Sequence, residues 1–345
     1  MSRMIRLAGL PATSLPPTTA TPSDLAPFLI SILQEAVPFI STVGQRSVSS
    51  GSGWKAKRGI KTLPGSTAPI SLYERTVNML PPRDENGNRS GGSGGGSSSS
   101  SSSSSSKETW ICRRSTHEDA PQGGTASWQE FRYAFKEHHV ETEDKFTPSV
   151  VGSRICRVWD CGSVEAEEAN QTFGNFSLCV AEMRHAVGRP LLKDRVFCVL
   201  QMTCSVMTPP HTTTLDQDAA ATSHDEQPHF IVVSIPVTDF ESQADARLSK
   251  EKDVVVGGYA SVERIRKLPE TTGDGGGIEW IMATASDAGG VLPQWMQNMA
   301  VPGQIAKDVP LFLSWIAKER QTQDTTSAGR DGDGNGDNCR GGQRG

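Results

Sequence analysis

Six short stretches between Arg154 and Ser286 decide what this chain can become. Arg154 to Trp159, Phe176 to Val187, Arg195 to Met207, His229 to Val237, Gly258 to Leu268 and Ile278 to Ser286 are rich in β-branched and aromatic residues and bounded by turn formers. Most follow one another without helical periodicity between them, and parallel pairing needs a crossover of about a dozen residues, usually helical. The pattern predicts an antiparallel meander within an α+β fold. In the third stretch Val196, Cys198, Leu200, Met202, Cys204 and Val206 share one face while Gln201, Thr203 and Ser205 interrupt the other, the alternation of a half-buried strand. Two more strand patterns, Pro69 to Val77 and Thr109 to Thr116, flank a Gly/Ser tract over residues 87–106 with unbroken serine from Ser97 to Ser106. Loop-closure entropy grows only with the logarithm of length, so the tract reads as a hairpin insertion and not as a domain boundary.

Helical patterns accompany the strands. Thr21, Pro22 and Asp24 supply an N-cap, an N1 proline and an early acid, and Leu25, Phe28, Leu29, Ile32, Leu33, Ala36, Val37 and Ile40 follow at helical spacing. The opposite face is not basic, so this stripe is expected to pack on the core and not on a membrane. Ser127 and Glu130 have capping-box spacing and open a helix expected to end near His139. Leu292 to Lys318 carries Trp295, Met299, Ile305, Val309, Phe312 and Ile316 at helical intervals. Pro302 and Pro310, each costing about 3 kcal/mol inside a helix, predict a break near Val301 and a kink near Ala306. Residues 1–20 and 321–345 hold few large apolar groups and are expected to be disordered.

A net charge of −5 gives no electrostatic reason for a polyanionic partner, which excludes nucleic acid as an expected ligand. The run Lys55, Lys57, Arg58 and Lys61 reads as a solvated face, with transient contact to anionic lipid as its alternative use. Seven cysteines is an odd number, and Cys179, Cys198 and Cys204 sit in apolar strands as small hydrophobes, which suggests a reducing, cytoplasmic setting. An arginine-containing start without acids before Asp24 keeps a mitochondrial transit peptide as the minor alternative. No apolar run is expected to reach the roughly 18 residues that cross a bilayer.

Chemical motifs are sparse. Asp331, Asp333, Asn335 and Gly336 open like an EF-hand loop, but Gly342 stands where the closing carboxylate belongs. Cys156 and Cys161 lack a second pair at zinc spacing and read as structural thiols. His138 and His139 are adjacent on a helix, point apart, and are expected at the surface. Nucleophile elbow, P-loop and dinucleotide fingerprints are absent from the sequence, so no catalytic residue, metal or cofactor is assigned. Charges inside apolar strands, Glu182, Arg184 and His185 in one and Arg264 and Arg266 in another, are either exposed at an edge or paired around a cavity.

From Trp54 to about Lys318 the chain resembles the START lipid-transfer superfamily, more closely a fungal START-like family of unknown function. The resemblance is carried by TWICRRSTHED (Thr109 to Asp119), GRPLLKDRVF (Gly188 to Phe197), YASVERIRKL (Tyr259 to Leu268), IEWIMATASDA (Ile278 to Ala288) and GGVLPQWMQNMAVPGQIAKDVPLFLSWI (Gly289 to Ile316). It implies a helix-grip (START / Bet v 1-like) fold over residues 54–320, a curved antiparallel sheet wrapped around the long C-terminal helix, with the insertion at about 84–107 and the helix of residues 21–43 in front. It implies a cavity for a hydrophobic small molecule or lipid (sterol, phospholipid or other), serving transfer or sensing, without catalysis. Glu182, Arg184, Met202, Trp280, Met282, Trp295, Met299 and Phe312 are the expected lining. Two alternatives stand beside this reading: a protein-interaction module with a collapsed pocket, and a hydrolase or cyclase that would need Glu182 and His185 pointing inward. Oligomeric state is not legible.

Overall fold

Alternating sequence becomes ten strands in the computed structural model, which describes residues 4–44, 53–57, 59, 61–78, 107–188, 191–207, 227–269, 276–289 and 294–330, with side chains of the last helix described over 300–323. They are β1 (Lys55–Ala56), β2 (Ile70–Asn78), β3 (Lys107–Glu118), β4 (Val150–Trp159), β5 (Ala166–Glu168), β6 (Gln171–His185), β7 (Asp194–Val206), β8 (His229–Pro236), β9 (Val254–Lys267) and β10 (Gly277–Asp287). They form one sheet in the order β1-β2-β3-β10-β9-β8-β7-β6-β4, with β5 paired to β6. Pairing is antiparallel except where β7 meets β9, Asp194–Phe197 running parallel to Val254–Gly257. That contact follows from lengths: β8 has 8 residues against 13 in β7 and 14 in β9, so its neighbours meet beyond its end. Register shifts in β4 and between Gly174 and Ser177 of β6 add bending. The fold is α+β, a curved antiparallel sheet with a long C-terminal helix, as the resemblance implied.

Among the described residues four α-helices accompany the sheet: α1 (Pro22–Ser41), α2 (Trp128–Phe131), α3 (His139–Phe146) and α4 (Gln294–Arg330). Thr21 and Asp24 close a capping box on α1, whose Leu25, Leu29, Ile32, Leu33, Ala36 and Ile40 are fully buried. They pack on the outer face of the sheet, against Leu200, Met202, Ile231, Val233, Val262 and Ile281 among others. By length and composition α1 could cross a bilayer, contrary to the expectation of no such run, yet here its stripe is core. On the inner face α4 sets Ile305, Val309, Phe312 and Ile316 against Trp280, Ile265, Phe230 and Ile111.

Several expectations change. Residues 4–20, expected to be disordered, form a strap: Glu35 accepts from the amides of Met4 (2.8 Å) and Ile5 (3.1 Å), Glu108 from Leu7, and Asp239 from Ala12. Its own Ile5, Ala12 and Leu15 are buried, a gain the polar composition hid. The helix opened by Ser127 does not end at His139, because a π turn over Arg132–Glu137 re-phases it into α3. Thr142 Oγ1 stands 2.6 Å from Ala134 O and 2.9 Å from His138 O, where the turn disturbs the helical ladder. Re-phasing leaves His138 exposed and turns His139 inward, so the pair is not at the surface together. α4 continues through Pro302 and Pro310 to Arg330 without the expected break. Burying each large apolar side chain contributes about 1.5–3 kcal/mol, and several together outweigh about 3 kcal/mol per proline. β7 is buried on both faces, not half-buried, since helices cover both. The Gly/Ser tract, the EF-hand-like run and residues 331–345 lie outside the described residues.

Candidate functional site: the interior between sheet and C-terminal helix

Cross-strand register sorts the inner face into three rows. One is largely apolar: Ser115, Trp280, Ile265 and Phe230 on β3, β10, β9 and β8. The next carries charge: Arg113, Met282, Glu263, Val232 and Thr203. The third carries hydroxyls and an amide: Thr284, Ser261, Ser234 and Gln201 on four adjacent strands, all buried. The interior thus grades from oily to polar over four residues of a strand, from Trp280 to Thr284 on β10.

Its oily end is filled. Trp280 meets Phe135 at 4.6 Å, Phe131 at 5.5 Å and Phe312 at 5.8 Å between ring centroids, favourable aromatic separations.

In the charged row Arg113 is only 1% exposed, and its guanidinium lies 3.6 Å over the Trp280 ring. Its Nε and Nη1 meet no hydrogen-bond partner among the described residues. Burial pushes its pKa down, while Asp308 of α4 and Glu263 act to hold the proton. Glu263 accepts from Trp280 Nε1 at 3.0 Å and faces His139 Nε2 at 3.5 Å. His139 Nδ1 lies 2.8 Å from the Gln201 amide nitrogen and 3.7 Å from Glu143. Burial opposes a charge on His139, but the Glu263 hydrogen bond and the charges of Glu143, Glu263 and Glu141 outweigh it and raise its pKa. Burial likewise works against Glu263, whose pKa is nonetheless held down by His139 and Arg113. Glu143 is pushed up by burial, and Asp308 is pushed up to about 7, also mainly by burial. The Asp308 carboxyl can therefore stay protonated and donate, whereas Arg113 only donates.

Beside this cluster lies a cavity of about 50 Å³ lined by Glu143, Met183, His185, Phe197, Gln201 and Tyr259 among others. Since about 10–15 Å³ suffices for one water, it has room for a few waters and not for a lipid. A larger cavity, about 230 Å³, lies elsewhere, between the N-terminal strap, α1 and β2–β3, lined by Phe39, Trp110, Arg75 and Glu108 among others.

Of the expected lining residues, Trp280, Met282 and Phe312 come together on the inner side. Trp295 and Met299 lie on the first turns of α4, with side chains outside the described residues. Glu182, Arg184 and Met202 do not join them; strand parity puts all three on the outer side, Met202 in the α1 core. Glu182 is fully buried and ties down a loop, accepting from the amides of Arg247 (2.9 Å), Leu248 (3.0 Å) and Ser249 (3.1 Å). Arg184 pairs with Asp194 at 2.7 Å and with Glu251. Glu182 and His185, three apart on one strand, face opposite sides, so the pair required by a hydrolase or cyclase is not assembled. Another Ser–His contact exists, Ser115 Oγ to His117 Nε2 at 2.8 Å. Burial and Arg113 lower the His117 pKa to about 3, and its Nδ1 meets no partner among the described residues, which leaves it a poor base. Also among the described residues, no group of three or more His, Cys, Asp or Glu is placed to hold a metal ion.

Sequence reading missed Arg113, His139, Glu143, Glu263 and Asp308. Arg113 and Glu263 had a usable signal, being charges within predicted strands. His139 had none, because only the π turn aims it inward.

A model of a family described as a protein of unknown function, DUF3074, matches residues 110–316. Among solved structures the chain is similar to the crystal structure of human STARD10, at 12% identity and a TM-score of 0.44, over 90% of this chain and 85% of that one. It is also similar to the human StarD13 (DLC2) lipid transfer and protein localization domain, at 14% identity and a TM-score of 0.39, over 76% of this chain and 89% of that one. No curated protein matches. With more than half of its length under the family model, the chain belongs to the DUF3074 family of proteins of unknown function.

Proposed function

We propose that this protein binds a lipid-like, amphipathic molecule between the sheet and α4, its polar end held by Arg113 and the neighbouring hydroxyl row. The carrying observation is the buried guanidinium with Nε and Nη1 unpartnered among the described residues. Leaving a buried charged donor unsatisfied costs more than the usual 1–3 kcal/mol, and an acceptor on a ligand removes that cost. In the conformation described, the interior is closed, so occupancy requires α4 to move outward from the inner face. Native mass spectrometry and solvent extraction of the purified full chain test the reading. A stoichiometric hydrophobic molecule is the expected result; its absence from several expression hosts overturns the proposal.

A second reading, an interaction module with a permanently closed interior, draws on the cavity of only about 50 Å³. Met282, 7% exposed between Arg113 and Glu263 in the charged row, separates the two. Under the binding reading, Met282→Trp keeps the melting temperature and loses the co-purifying molecule. Under the closed reading it overpacks and destabilises by about 1–3 kcal/mol, with no bound molecule before or after.

A further inference from the structure

The outer face is apolar wherever α1 lies on it, except at the corner beneath the C-terminal end of that helix. There three arginines from two strands converge on one carboxylate. Glu279 of β10 is 1% exposed; Arg114 reaches its Oε1 through Nε at 2.8 Å and Nη2 at 2.6 Å. Arg264 and Arg266 reach Oε2 at 3.2 and 2.9 Å. Arg264 Nη1 also donates to Ser41 Oγ at 3.2 Å, at the end of α1. One carboxylate cancels one of three charges, and the C-terminal end of a helix supplies about half a negative charge more. The Nε atoms of Arg264 and Arg266 find no partner among the described residues. The corner therefore keeps a surplus of between one and two positive charges in a half-buried place, where like charges repel under weak screening.

The cluster is reachable from solvent. The Arg114 side chain is 37% exposed, Arg266 16% and Arg264 12%. Gly44, at φ +74°, keeps the approach open: a Cβ there would come within 2.8 Å of Arg114 Nη1 and 3.3 Å of Tyr73 Oη. A second guanidinium edge and a phenol thus border one gap.

We infer that this corner, separate from the interior, binds a phosphate group. The surplus matches the charge of about −1.5 to −2 on a phosphate monoester at neutral pH, which a single carboxylate would only partly offset. Guanidinium forks fit phosphate oxygens in pairs, and Tyr73 adds a hydroxyl donor. The phosphate could come from a membrane headgroup or from a soluble compound, and the recognition chemistry is the same.

Two measurements on the full-length protein decide the matter: calorimetric titration with inorganic phosphate, and flotation with phosphatidylcholine vesicles with or without phosphatidic acid. Phosphate binding without flotation supports the site with a soluble source. Flotation that depends on phosphatidic acid and is competed by phosphate supports it with a headgroup source. In either case Arg114→Gln, at the most exposed of the three, is expected to weaken binding about tenfold, the usual order for a charge-assisted contact, while Arg114→Lys retains part of it. A cluster that only fastens α1 would instead shift the melting temperature of these variants and leave no phosphate effect to lose. Should neither probe bind, or should Arg114→Gln bind like the wild-type chain, the inference is overturned.

Discussion

The two faces of this sheet are covered to similar depth but differ in chemistry. Outside, under α1, Leu200, Met202, Ile231, Val233, Val262 and Ile281 meet leucines and isoleucines, and the central contact is purely apolar. Inside, β3, β9, β8 and β7 carry Arg113, Glu263, Ser261, Ser234 and Gln201, which are buried as well. Burial alone therefore does not separate core from site. What separates them is whether the buried groups satisfy one another: the contact under the middle of α1 is apolar, whereas the inner face holds a guanidinium whose Nε and Nη1 are both unpartnered among the described residues.

The largest expected effect belongs to the outer face. Leu29→Ala, at a fully buried position of α1, should cost about 2–5 kcal/mol in urea unfolding and leave any co-purifying molecule in place. A loss below 1 kcal/mol, roughly a surface value, would mean that α1 is not core. Arg113→Met inverts the pattern. Replacing a poorly paired buried charge by an apolar side chain of similar reach is often neutral or stabilising by about 1–4 kcal/mol, so stability should hold while the bound molecule is lost. A large loss of stability would show that Arg113 is structural.

The smallest effect is a pH slope. The folded-state pKa of Asp308 is raised to about 7, above its unfolded value, so the folded chain binds more protons between about pH 4 and pH 7. Its contribution to stability therefore falls as pH rises through that window. His139, also raised, acts in the same direction, its stabilisation being lost above its folded pKa. Asp308→Asn removes the first contribution and keeps the second. Stability of the variant relative to wild type should rise from pH 5 to pH 8 in urea melts, and a flat difference would dissociate Asp308 from the buried cluster.

Strand positions, the N-cap at Thr21, the capping box at Ser127 and the α+β class were legible because alternation and caps are local signals. Which strand face looks inward was not. In β7 the more apolar alternation, containing Met202, resembled a ligand-facing surface, yet it meets α1; the face interrupted by Gln201 and Thr203 looks toward the interior. Periodicity divides a strand into two faces but does not say which helix will lie on which. Glu182 illustrates the same limit: its charge in an apolar strand was conspicuous, but its role depends on amides more than sixty residues away.

The strap of residues 4–20 carries a consequence for the order of assembly. Its amides are clasped by acids on α1, on β3 and just after β8, at sequence separations of 31, 101 and 227 residues. None of these clasps stands in place until the elements bearing them have met, and distant closures come late because they cost the most chain entropy. A fastened strap therefore reports that α1, β3 and the end of β8 are already in place.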